Sequence, residues 1–215
     1  MRYRRICCGL VLAMTSLAAC GSSSTPLAQV SGGTALAGLR GDVLKPSTKE
    51  PLIDLRDTSG AMYNVATRDA DKTTLLYFGY TNCPDICPHF MADIAAALRE
   101  SSSAVRSRVT VVFISVDPRR DTLPVIRRWL NHFNSTFVGL RAPIQQVIKI
   151  QKAVGVPVSK VDPHSKNGYT VQHSAELLAF TPDKQAHVVY TDGPSTISDL
   201  QHDLGILTTD KALGA

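Results

Sequence analysis

The sequence has no apolar run near its amino terminus long enough to cross a bilayer as a helix. Ile6 to Ala19 is apolar over 14 residues, against about 20 for a spanning helix. It follows the basic stretch Met1-Arg2-Tyr3-Arg4-Arg5, and that order is the layout of a secretory signal expected to be removed. Excess charge is also scarce. Residues 1–19 carry Arg2, Arg4 and Arg5 and no acid, so their loss leaves 20 basic against 18 acidic residues and lowers the net charge from +5 to +2. A nucleic-acid partner would need a concentrated basic face, and this balance gives no support for one. There is no internal repeat. With 215 residues, 44% hydrophobic and 19% charged, the composition is that of one ordinary globular domain.

Cysteine is sparse, with five in the chain. Cys7 and Cys8 fall in the signal. Leu17-Ala18-Ala19-Cys20 resembles the bacterial lipobox, which implies cleavage before Cys20 and attachment of lipid to its sulfur. The expected location is the extracytoplasmic face of the cell membrane, held by acyl chains. Plain secretory cleavage near Ala19 is the alternative. Cys83 and Cys87 then remain as the only free thiols, in a compartment where disulfides persist. A bridge between them closes a very short loop and removes little unfolded-state entropy, which makes a purely stabilising staple the weaker use of the pair.

The expected organisation is a signal over residues 1–19, a flexible tether over 20–44 and a folded domain over 45–215. Gly21 to Gly38 is rich in Gly, Ser, Thr and Ala without a sustained period, and Gly41 to Pro51 reads as an extended lead-in. Leu52 to Leu55 and Ala61 to Val65 suggest a hairpin turning at Ser59-Gly60. Thr73 to Gly79 and Val109 to Val116 read as buried strands, parallel because a helix over Ile86 to Glu100 joins them. Further helices are expected over Leu123 to Phe133, over Ile144 to Val154 closed by Gly155, and over Ser195 to Leu207. Phe137 to Leu140 is a short strand, Asp162 to Gly168 a polar loop, and Ala175 to Phe180 with Ala186 to Tyr190 a final hairpin. The alternation predicts an α/β fold with a central mixed sheet flanked by helices. A strand delivering two cysteines to a helix start is the layout of the thioredoxin fold.

The pair lies in Leu75-Leu76-Tyr77-Phe78-Gly79-Tyr80-Thr81-Asn82-Cys83-Pro84-Asp85-Ile86-Cys87-Pro88. Four positions apart at a helix start, the two sulfurs converge. The helix N-terminus stabilises thiolate, which is both the nucleophile and the metal ligand. Thioredoxins place two residues between their cysteines; three stand here, which gives the sulfurs more room to grip a metal. Soft thiolates with a histidine favour copper, Cu(I) above all, with zinc as the alternative metal. Among six histidines, His89 points away from the sulfurs, and His132, His187 and His202 read as surface residues. His164 lies in the polar loop. His173, before the final hairpin, has the best local context.

Phe78 to Pro88, Ser115-Val116-Asp117-Pro118-Arg119-Arg120-Asp121-Thr122, Phe137-Val138-Gly139-Leu140 and Tyr169-Thr170-Val171-Gln172-His173-Ser174 together resemble the SCO/SenC family of copper-binding cytochrome c oxidase assembly factors. The resemblance covers about Pro51 to Leu207. It implies a thioredoxin-like fold, copper, as Cu(I) and also Cu(II), bound by Cys83, Cys87 and His173, and delivery to the copper centre of oxidase subunit II. It equally implies a second use of the thiols, reduction of that centre's cysteines, with other copper chaperones or thiol reductases as partners. A redox- or copper-sensing module is a third use of the same residues. The family usually has an acid where this chain has Gln172, so the groups that orient the imidazole are expected to differ, with Asp117 and Asp85 the nearest acids.

Overall fold

The computed structural model describes residues 36–165, 168–193 and 196–209. The expected signal, Cys20 and most of the tether lie outside those residues. In chain order the strands and helices are β1 (Asp42–Lys49), β2 (Asp54–Asp57), β3 (Met62–Asn64), α1 (Val65–Arg68), β4 (Thr73–Gly79), α2 (Ile86–Glu100), α3 (Ser103–Ser107) and β5 (Val109–Ser115). They continue as α4 (Leu123–Asn131), β6 (Val138–Arg141), α5 (Ile144–Val154), β7 (Lys160–Ser165), β8 (Gly168–Gln172), β9 (Glu176–Phe180), β10 (Gln185–Thr191) and α6 (Thr196–Leu207).

Eight strands form one mixed sheet in the order β1-β10-β9-β4-β5-β6-β2-β3. β4 and β5 sit at its centre and run parallel, from Thr73 beside Val109 to Gly79 beside Ser115. Every residue of β4 is buried. Such a strand must be apolar on both faces, and Leu75, Leu76, Tyr77 and Phe78 meet that requirement with no exposure. α2 presents Phe90, Met91, Ile94, Ala97 and Leu98 to the core, at the three-to-four spacing of a helical stripe. Gly155 closes α5 at φ +79°, the left-handed conformation that glycine adopts without strain.

Three features differ from the sequence expectation. β1 starts at Asp42, paired with Val189 of β10, and Leu39 is already buried; the sheet therefore takes in residues ahead of the expected domain start at 45. Of the expected loop at Asp162 to Gly168, residues 162–165 and Gly168 are strand residues of β7 and β8, which pair antiparallel as a separate two-stranded sheet. His187, expected on the surface, is 7% exposed. It lies in β10 between β1 and β9, and its Nε2 stands 2.8 Å from Asp183 Oδ2.

Candidate metal centre

β4 ends at Gly79, and the chain turns through Tyr80 to Asp85 before α2 begins at Ile86. Cys83 thus precedes the helix, while Cys87 is the second residue in it. The turn is fixed from β5. Asp121 is buried, and its carboxylate accepts from Thr81 N at 3.1 Å, Thr81 Oγ1 at 2.6 Å and Ser115 Oγ at 2.6 Å. Burial raises the Asp121 pKa, partly offset by the bonds from Ser115 and Thr81. The clamp fixes the residue two positions before Cys83.

The structure brings Cys83, Cys87 and His173 together, with their ligand atoms all within 4.8 Å of one another. His173 Nε2 lies 3.3 Å from Cys87 Sγ and 3.8 Å from Cys83 Sγ. Two ligands on one trigonal ion, with bonds of about 2.3 Å to sulfur and 2.0 Å to nitrogen, would be about 3.8 Å apart. The two sulfur–nitrogen separations are close to that value and all three ligand atoms lie within 4.8 Å, so the side chains fit a single small cation. His173 Nδ1 is 2.8 Å from the Ser174 carbonyl. A carbonyl only accepts, so Nδ1 carries a proton and Nε2 is the nitrogen with a lone pair for a metal.

The two thiols are not equivalent. Cys87 is fully buried and Cys83 half-buried. The neighbouring Cys87 thiol, outweighing burial and joined by His173 and by the Cys87 backbone amide at 3.4 Å, holds the Cys83 pKa down to about 3. Burial and the neighbouring Cys83 push the Cys87 thiol upward. The helix N-terminus adds a smaller contribution to the Cys83 thiolate, through the Cys87 amide that donates to Cys83 Sγ. The Tyr77 hydroxyl, its own pKa raised by burial and by Cys87, contacts Cys87 Sγ at 3.8 Å.

Of the other candidates, His89 is 73% exposed and 3.7 Å from Asp85, pointing away as expected. His132, His164 and His202 are exposed. Asp85 occupies the N-cap position of α2 but makes no side-chain cap bond. Gln172 is exposed at the end of β8, and the imidazole is oriented by the Ser174 carbonyl. Sequence reasoning named Asp117 as a near acid and held Arg120 and Tyr169 within two of the resembling motifs, but missed that the three group beside the centre. A cleft of about 630 Å³, lined by Tyr63, Arg68, Lys72 and Thr110 among others, sits at the opposite ends of β4 and β5. It is not part of this centre.

The SCO1/SenC family profile matches residues 50–204. The chain belongs to the SCO1/SenC family. Protein sco1 of Schizosaccharomyces pombe is 34% identical over 137 residues, covering 62% of this chain and 51% of that protein. The mitochondrial SCO1 homolog 1 of Arabidopsis thaliana is 33% identical over 112 residues, covering 52% and 33% respectively. The chain thus spans about half or less of the length of these curated relatives. Among solved structures, apo Sco1 of Thermus thermophilus is 26% identical, with a TM-score of 0.68 over 79% of this chain and 97% of that one. Bradyrhizobium japonicum ScoI with copper bound is 28% identical, with a TM-score of 0.64 over 74% and 99%. The SCO1/SenC chain has the thioredoxin-like architecture of these neighbours, a central mixed sheet flanked by helices.

Proposed function

We propose that this SCO1/SenC protein is a copper metallochaperone. It binds copper through Cys83, Cys87 and His173 and passes it on during assembly of the copper centre of cytochrome c oxidase, with subunit II as the acceptor. The observation that carries the reading is the convergence of two sulfurs and one imidazole nitrogen within 4.8 Å. The copper bound by ScoI of Bradyrhizobium japonicum supports the choice of metal, and so does the softness of the donors, which favours Cu(I) over zinc. Cu(II) is a second state of the same cargo.

Capture begins at Cys83, which offers a thiolate and partial exposure. Coordination then displaces the proton of Cys87, because metal binding requires the deprotonated ligand. Release runs in the opposite sense. An acceptor's ligands approach from the partly exposed Cys83 and His173, and the buried Cys87 is the last to let go. The lipobox supports anchoring: residues 1–19 are removed, Cys20 carries lipid, and the tether holds the domain at the extracytoplasmic face of the membrane. No helix among the described residues is long and apolar enough to span a bilayer.

The test is anaerobic Cu(I) titration of the full chain in detergent, followed by transfer to an apo subunit II fragment. One copper per chain, bound and then transferred, is expected; copper that binds and never moves refutes delivery. Thiol–disulfide exchange with the acceptor's cysteines is a second reading, favoured by the two reduced sulfurs of Cys83 and Cys87 lying side by side. It requires both cysteines but not His173. Copper or redox sensing by the same residues would bind copper without transfer.

A further inference from the structure

His173 lies between β9, which begins at Glu176 in the main sheet, and β8, which that sheet does not hold. It directly follows β8, and β7 and β8 pair only with each other. The main sheet fixes the chain after His173, so the side left to secure is this hairpin, and its attachments to the scaffold converge beside the metal centre. Arg120 Nη1 donates to the Tyr169 carbonyl at 2.9 Å, and the Arg120 guanidinium lies 3.7 Å from the centre of the Tyr169 ring. Arg120 Nε also donates to Asp117 Oδ2. The Tyr169 hydroxyl donates to Asp117 Oδ1 at 2.8 Å. One residue of β8 is thus gripped through its carbonyl, its ring and its hydroxyl by a carboxylate and a guanidinium that follow β5.

Tyr80 ties the same unit to the cysteine turn. Its hydroxyl accepts from Val171 N at 3.3 Å, and its ring stands edge-on to the His173 imidazole with centroids 5.5 Å apart. Arg120 is also 5.7 Å from the Tyr80 ring. Asp117 is 3% exposed, so its bonds to Arg120 and Tyr169 are shielded from water and worth more than surface contacts.

We propose that Asp117, Arg120 and Tyr169 form a latch that positions His173, so that the third ligand is placed from the end of β5 and not by its own hairpin alone. With the latch intact the centre has three ligands. With it broken, the hairpin carries His173 away and leaves a two-thiolate site. Asp117, Arg120 and Tyr169 are positioning residues and touch no metal. This inference rests on the copper reading above.

The test is a double-mutant cycle for Cu(I) affinity on the full chain in detergent, with Cu(I) competed anaerobically against a chromophoric chelator. Arg120→Ala is expected to weaken Cu(I) binding by about 10- to 100-fold, the range for loss of a group that orients a metal ligand. Added to His173→Ala, Arg120→Ala is expected to cost nothing further, because the ligand it positions is already gone. If it costs the same factor in both backgrounds, Arg120 supports the fold in general and the latch is overturned. Wild-type affinity in Arg120→Ala overturns it as well.

Tyr169→Phe removes only the hydroxyl on Asp117 and carries the same cycle should Arg120→Ala fail to fold. A weakening that vanishes in the His173→Ala background is expected; no weakening overturns the latch. His173→Ala separates the two levels of the argument. If it binds Cu(I) as tightly as wild type, the three-ligand centre fails. If it binds weakly while both latch variants bind normally, only the latch fails.

Discussion

Gly79→Ala is a one-carbon change that should damage the metal centre from beneath. Gly79 is the last residue of β4, beside Ser115 of β5. A Cβ placed there would lie 2.8 Å from Phe113 Cε2, 2.9 Å from Cys87 Sγ and 2.9 Å from Tyr77 Cε1. Non-bonded carbon and sulfur atoms rest at about 3.5–4.0 Å, so each neighbour would have to retreat by roughly 0.6–1.2 Å. Phe113, Cys87 and Tyr77 have no exposure at all, and none can swing into solvent. Overpacking of this kind costs about 1–3 kcal/mol. Part of the displacement falls on the Cys87 sulfur, and a binding site tolerates only about 0.5 Å of error in a ligand. Urea denaturation of the apo protein should show the stability loss, and chelator competition should show Cu(I) affinity reduced by about tenfold or more. A variant within about 0.5 kcal/mol of wild type that binds copper equally well would refute the packing argument.

Two further perturbations read neighbouring parts of the same site. Asp121→Ala strips a buried acceptor from Thr81 and Ser115 and should lower stability by about 3 kcal/mol, since hydrogen bonds to a charged group are lost and donors are left unpaired; urea denaturation checks it, and an unchanged midpoint would sink the clamp. In the apo protein, iodoacetamide should modify Cys83 before Cys87. Because the Cys83 pKa is lowered to about 3, thiolate persists as pH falls, and the rate should stay nearly flat from about pH 8 to pH 5. Peptide mapping by mass spectrometry reads both, and a rate that falls tenfold per pH unit over that range would contradict the thiolate assignment.

What was legible in the sequence was legible for physical reasons. β4, α2 and α5 have the expected boundaries because their signals are local: an unbroken apolar run, a helical stripe, and a glycine stop at Gly155. The β7–β8 hairpin was hidden because Lys160, Asp162, Pro163 and His164 interrupt any alternation. It packs on the scaffold through Tyr169, Val171 and Arg120 without joining the main sheet. β1 is an edge strand whose residues are half-buried or exposed throughout, so it carries no apolar face to read. His187 looked like a surface residue because a histidine in a strand gives no sign of a partner; Asp183, four residues earlier, supplies one across the β9–β10 turn.

The convergence of Cys83, Cys87 and His173 followed from spacing and resemblance. The asymmetry between the two thiols did not, because it depends on Cys87 being buried with its thiol beside the half-buried Cys83. The Asp121 clamp and the Arg120–Tyr169 contact were equally out of reach. They join residues 40 and 49 positions apart, and no local pattern encodes such a pairing.

The central claim is that one copper ion is held by two sulfurs and one histidine nitrogen. X-ray absorption of the full chain loaded with one equivalent of Cu(I) measures this directly. The account predicts two sulfur neighbours at about 2.3 Å and one nitrogen at about 2.0 Å, with the nitrogen lost in His173→Ala and both sulfurs retained. A shell of sulfur alone in the wild-type protein, or a nitrogen that survives His173→Ala, would contradict it.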